Sequence, residues 1–125
     1  VIHLQTIVTS RSKLTVVEKL PFDIKRIYYL HGIDPSVPRE GHAHKDLRRL
    51  LIAVAGSFKV TLDGESFTLN DPSQALPIEP LQWLEFNEFA PFSVALVIAS
   101  KEHDETDCIR SKEDLRKIKL DYSNL

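Results

Sequence analysis

The sequence predicts an all-β sandwich or barrel closed by one short C-terminal helix, and three observations carry that prediction. Short segments rich in β-branched and aromatic residues recur along the chain, each bounded by Ser, Pro, Asp or Gly. Phe58, Val60 and Leu62 alternate with Lys59, Thr61 and Asp63, the period-two pattern of a strand with one buried face. A helical apolar stripe occurs only near the end, over Leu115 and Ile118.

In chain order, the first strand is expected within Val1 to Val8, where β-branched and polar residues mix. Leu14 to Glu18 and Arg26 to Leu30 follow as further short strands. Arg49 to Ala55 is almost continuously apolar, as expected of a strand buried on both faces. Asp63-Gly64 marks a tight hairpin, because both central positions of a type I′ turn need positive φ, and Glu65 to Leu69 returns as the partner strand. Asp71-Pro72 makes another turn. Gln74 to Ile78, Gln82 to Phe86 and Ser93 to Ala99 complete the strands. Ser111 can cap the helix, with Asp114 three residues on as a capping-box variant.

The 125 residues form one domain, residues 1–125, large enough to bury a real core. Sixteen Lys and Arg against eighteen Asp and Glu leave a net charge of -2, with the signs interspersed, so neither nucleic acid nor an anionic membrane is an expected partner. No apolar run approaches the ~20 residues of a membrane span, and no signal peptide is expected. Cys108 is the single cysteine, which excludes an intrachain disulfide, fits a reducing cytoplasm and reads as structural.

Function turns on Arg39-Glu40-Gly41-His42-Ala43-His44-Lys45. Residues two apart on a strand share a face, so His42 and His44 project two imidazoles into one pocket. Imidazole suits proton transfer near neutral pH and is also the commonest metal ligand. Arg39, Lys45, Arg48 and Arg49 surround the pair, and Arg26 lies one strand earlier.

A His-x-His strand followed by a long apolar strand and a Gly turn resembles the cupin superfamily, which implies a double-stranded β-helix, or jelly roll. Metal-binding cupins continue from His-x-His to a Glu and then a Gly. Here Gly56 stands at the Gly position, but Arg49 occupies the Glu position, and the alternative spacing gives Arg48. No His lies between His44 and His103 to serve as the further ligand. A fixed cation beside a divalent metal is electrostatically costly, so no metal is expected. The imidazoles are then free for acid–base work and the arginines for an anion.

Several further stretches are more specific. Ser10 to Glu18 resembles an Asp-x-Arg-Gly-x-Leu-x-x-x-Glu opening. Arg26-Ile27-Tyr28-Tyr29, the Gly-His-Ala-His-Lys run, Pro80-Leu81-Gln82-Trp83 and Asp104-Glu105-x-Asp-x-Ile-Arg110 follow in order. Over nearly the whole chain this is similar to the nucleotide-sugar 3,4-ketoisomerase family of WxcM-like, FdtA-type cupins. Ser12 replaces a usual Gly, Leu84 follows Trp83 where His is common, and His103 and Cys108 stand where aromatic residues are frequent.

The resemblance implies a cofactor-free homodimer with exchanged N-terminal strands. It also implies a dTDP-4-keto-6-deoxy-D-glucose substrate whose ketone moves from C4 to C3, feeding 3-amino-3,6-dideoxy sugar synthesis. That reaction needs a base at C3, a donor for the enediolate and an acid at C4. His44 is expected to be the main base, His42 to position it or carry the second proton, and Tyr29 to supply a hydroxyl. Arg26, Arg39, Lys45 and Arg49 are expected to meet the diphosphate, with Lys45 and Arg48 equally readable as solvated surface. Trp83 is expected to stack on thymine or sugar, with a core position as the alternative. His3, His31 and His103 read as incidental. Two other functions compete: a dTDP-sugar 3,5-epimerase-like enzyme, for which the sequence offers no His–Asp signature, and a non-catalytic nucleotide-sugar-binding module.

Overall fold

Strand-forming segments dominate the computed structural model, which describes residues 1–37 and 39–123. The strands are β1 (Ile2–His3), β2 (Thr6–Val8), β3 (Lys13–Thr15), β4 (Arg26–Leu30), β5 (Ala43–His44), β6 (Arg49–Ala55) and β7 (Phe58–Leu62). They continue with β8 (Glu65–Leu69), β9 (Gln74–Ile78), β10 (Leu84–Phe89), β11 (Val94–Ala99) and β12 (Cys108–Ile109), and helix α1 (Lys112–Ser123) ends the order. A five-stranded sheet, β1-β9-β6-β11-β4, faces a three-stranded sheet, β10-β7-β8, and every pairing is antiparallel.

Strand β6 runs through the middle of the larger sheet, and its side chains alternate between two cores. Leu51 and Ala53 point inward with Val60, Leu69, Ile78 and Val97. Leu50 and Ile52 point outward, where Leu4, Val17, Leu20 and Phe22 of the N-terminal segment cover them. Burial on both faces is why this stretch lacks polar alternation. The hairpin between β7 and β8 turns at Asp63 (φ 49°) and Gly64 (φ 84°), the pair of positive φ values that a type I′ turn requires.

Several boundaries differ from expectation, and the strand expected over Leu14 to Glu18 is only Lys13–Thr15. The first strand divides at Leu4 and Gln5: β1 pairs with β9, whereas β2 forms a separate hairpin with β3. The strand expected from Gln82 starts at Leu84 instead, because Leu81 adopts a left-handed φ of 66° and its N–H turns to the His44 carbonyl. At the C-terminus the Ser111 hydroxyl accepts the Asp114 N–H at 3.1 Å, so the expected cap forms. Leu115 of α1 packs with Ala43 and Ile109, pinning the small β5–β12 sheet beneath the helix.

Candidate active site

His42 and His44 reach the same side by different means. Ala43 and His44 form β5, paired with β12, whereas His42 makes an isolated antiparallel bridge to Leu84 of β10. Alternation about the fully buried Ala43 sends both imidazoles into one cavity of about 260 Å³, where their rings meet edge-on at 5.4 Å.

Pairing of β5 with β12 sets Cys108 opposite His44, which brings the preceding residue, Asp107, beside the ring. The Asp107 carboxylate lies 3.2 Å from His44 Nδ1, and its other oxygen accepts the Asp46 N–H at 3.0 Å. Asp107 ends a short 3₁₀ turn, Glu105–Asp107, capped by Asp104. This carboxylate fixes the proton on Nδ1 and leaves the Nε2 lone pair of His44 for another partner.

His42 differs. Its Nε2 lies 3.3 Å from Nη1 of Arg49. A guanidinium can only donate, so His42 Nε2 accepts and its proton sits on Nδ1, near the Glu40 backbone. Arg49 is only 3 % exposed, and its Nε is buried without a partner. Burial first, and the Arg49 charge second, hold His42 down to about 4. His44 is likewise held down to about 4 by burial and Arg49, although Asp107 pulls the other way. Both imidazoles are therefore neutral near pH 7.

Of the other residues singled out from sequence, Arg26, Arg39 and Arg49 line this cavity. Arg48 faces the opposite way, its Nε donating to Glu79 at 2.9 Å. Three placements need correction. Tyr29 points outward, 61 % exposed and against His31; the alternation of β4 instead turns Arg26, Tyr28 and Leu30 to the cavity. Lys45 is exposed and lies outside the cavity lining, because it follows His44 on the opposite face. Trp83 lines a separate groove of about 490 Å³ between α1 and the Asp63–Gly64 turn, and its indole N–H donates to Glu85 at 2.7 Å. That groove carries lysines and an arginine but no group that titrates near neutrality.

The cavity also holds residues that sequence reasoning passed over or set aside. Tyr28, His103, Glu105, Cys108 and Arg110 all line it, and Arg110 pairs with Glu105 at 2.7 Å. The only signal for the Glu105 to Arg110 stretch was its place in a family-like tail motif. No spacing rule links Asp107 to a histidine 63 residues earlier. The missing His–Asp signature is thus present in space. Among the described residues, no group of three or more His, Cys, Asp or Glu side chains is arranged to hold a metal ion. No helix among them is long and apolar enough to cross a membrane.

A two-imidazole pocket with one base oriented by a carboxylate, ringed by guanidinium groups, is equipped to move protons on an anionic substrate. Residues 1–119 match the family model described as FdtA: WxcM-like, C-terminal. The chain is 37% identical over 124 residues to TDP-4-oxo-6-deoxy-alpha-D-glucose-3,4-oxoisomerase of Aneurinibacillus thermoaerophilus, covering 94% of this chain and 89% of that one. It superimposes with a TM-score of 0.89 on QdtA, a sugar 3,4-ketoisomerase of Thermoanaerobacterium thermosaccharolyticum solved with TDP, at 38% identity, covering 97% and 93% of the two chains. With the WlaRB TDP-quinovose 3,4-ketoisomerase of Campylobacter jejuni the TM-score is 0.87 at 36% identity, covering 92% and 94%.

Proposed function

Since the chain belongs to the FdtA, WxcM-like C-terminal family, we propose that it is an isomerase moving the ketone of TDP-4-keto-6-deoxy-D-glucose from C4 to C3. The observation that carries the reading is His44, with Nδ1 tied to Asp107 and Nε2 unengaged, in a cavity edged by Arg26, Arg39 and Arg110.

In this mechanism His44 Nε2 removes the proton from C3. The C3–H electron pair becomes the C3–C4 double bond, and the carbonyl π pair moves to the C4 oxygen. A proton then passes from the C3 oxygen to the C4 oxygen. Collapse of the C3 oxyanion rebuilds a carbonyl at C3 while C4 takes up a proton. Atoms and charge balance, so no oxidant is needed. A neutral imidazole with a free lone pair is the right state for the first step. Tyr28, turned into the cavity beside Arg26 with the guanidinium 4.3 Å from its ring, takes the hydroxyl role first given to Tyr29. Arg26, Arg39 and Arg110 suit the diphosphate, because guanidinium forks match phosphate oxygens.

The partner in solution is a second copy of the chain. Ile2, Ile7, Val8 and Leu14 on the N-terminal strands are exposed apolar side chains that a partner would cover. Strand exchange requires the partner's β1 to take the place beside β9 that the chain's own β1 takes here. A cytoplasmic location fits the single cysteine. A product with a ketone at C3 is what an aminotransferase making a 3-amino sugar would consume.

The His44–Asp107 pair also favours a second reading, proton abstraction at C3 and C5 by a 3,5-epimerase. Incubation with TDP-4-keto-6-deoxyglucose in heavy water, followed by proton NMR, separates the two. Ketone migration with deuterium at C4 of the product is expected. Exchange at C3 and C5 without migration would establish epimerisation, and no exchange would leave only binding.

A further inference from the structure

We infer that Arg49 is a catalytic residue: its guanidinium contacts the C4 oxygen of the sugar and neutralises the enediolate, and the diphosphate is held elsewhere. This rests on the ketoisomerase reading above and assigns Arg49 a different part of the substrate from the one its charge alone suggests.

The charge of Arg49 is unbalanced by its surroundings. Arg49 is buried to within 3 % and its Nε has no partner, yet none of the ion pairs among the described residues includes it. A desolvated cation without a counter-ion is costly and is tolerated where an anion arrives to complete it. The other guanidinium groups of the cavity are in a different condition. Arg110 already has Glu105 at 2.7 Å, Arg26 lies over the Tyr28 ring at 4.3 Å, and Arg39 is exposed. A diphosphate is large, doubly charged and strongly hydrated, so the accessible arginines suit it. The buried one meets the smaller end of the substrate.

Position gives the second reason. Arg49 Nη1 touches His42 at 3.3 Å, and the His42 and His44 rings are 5.4 Å apart. The guanidinium is therefore one imidazole away from the base. In the substrate, the proton lost from C3 and the oxygen that gains charge are on adjacent carbons. A base at one and a cation at the other is the arrangement the step demands. The guanidinium stays protonated throughout, so it transfers no proton and acts only on charge that appears in the transition state. The accepting Nε2 of His42 fixes the guanidinium in place, which makes His42 a positioning residue for Arg49 as well as a neighbour of His44.

The test uses the full-length protein with Arg49→Gln and Arg49→Lys, measuring TDP affinity by calorimetry alongside kcat and KM. Arg49→Gln is expected to lose ~10²–10³-fold in kcat, the usual effect of removing one oxyanion donor, while TDP affinity and KM change less than about threefold. Arg49→Lys is expected to recover part of the loss. Weakened TDP binding with kcat kept, in either variant, would overturn the inference and make Arg49 a diphosphate ligand. Should Arg49→Gln fail to fold, Arg49→Lys carries the same two outcomes. Unchanged kcat in a folded variant would also overturn it. A wild-type protein inert toward TDP-4-keto-6-deoxyglucose would instead overturn the ketoisomerase reading itself.

Discussion

At the scale of single residues, two neighbouring histidines differ in their second contacts. Asp107 holds His44 with a free Nε2, whereas Arg49 occupies Nε2 of His42. His44→Asn removes the titrating group while keeping size and polarity, and turnover is expected to fall ~10²–10⁴-fold with little change in TDP affinity. Wild-type turnover in that variant, with activity lost in His42→Asn, would reverse the roles. Asp107→Asn should cost less than His44→Asn, because it frees the ring without deleting it, and it should show as reduced kcat with KM kept. The pH profile follows from the same contacts. In the proposed role as base His44 acts when neutral, and it is held down to about 4. The acidic limb of kcat/KM should therefore lie near pH 4, not near the 6.5 of an ordinary imidazole; a limb at 6.5 would contradict the role of burial and Arg49.

At the scale of elements, the site depends on a two-stranded sheet of only four residues, β5 and β12. So short a pairing needs support, and α1 supplies it through Leu115 packed on Ala43 and Ile109. The N-terminal strands pose the opposite problem, with Val8 67 % and Leu14 57 % exposed. Unpaired apolar strand surface invites association. Deletion of residues 1–10 is expected to convert a dimer into a monomer by light scattering. A truncated chain that remains a stable dimer would show that the interface lies elsewhere.

At the scale of the whole molecule, a buried cation replaces the carboxylate that a metal-binding cupin would carry, at the floor of the cavity. Exhaustive chelation is expected to leave turnover unchanged; activity lost to chelation and restored by one divalent metal would refute this. The two neutral imidazoles also tie stability to pH. Their folded values of about 4 lie below the ordinary 6.5 of the unfolded chain. The unfolded state therefore binds protons first, and stability should fall as pH drops from about 6.5 toward about 4. A melting temperature flat across that window would contradict it.

Much of the fold was legible because strand burial writes itself into local pattern. Continuous apolar residues marked β6, alternation marked β7, and Asp63-Gly64 marked the turn between β7 and β8, all from neighbours in sequence. The His-x-His pair and the substitution of Arg49 at a ligand position were legible for the same reason. What pattern could not decide was the sign of an alternation. It required Tyr28 and Tyr29 to face opposite sides, but only the pairing of β4 with β11 turned Tyr28 inward and Tyr29 out. Nor could it join Asp107 to His44, since that contact is made by β12 folding back on β5 across 63 residues. By itself the sequence determined most of the strands, though not all their bounds, together with the pair of imidazoles and the Arg at the ligand position. Tertiary structure alone decided which imidazole keeps a free lone pair, because that depends on donors and acceptors brought together from distant segments.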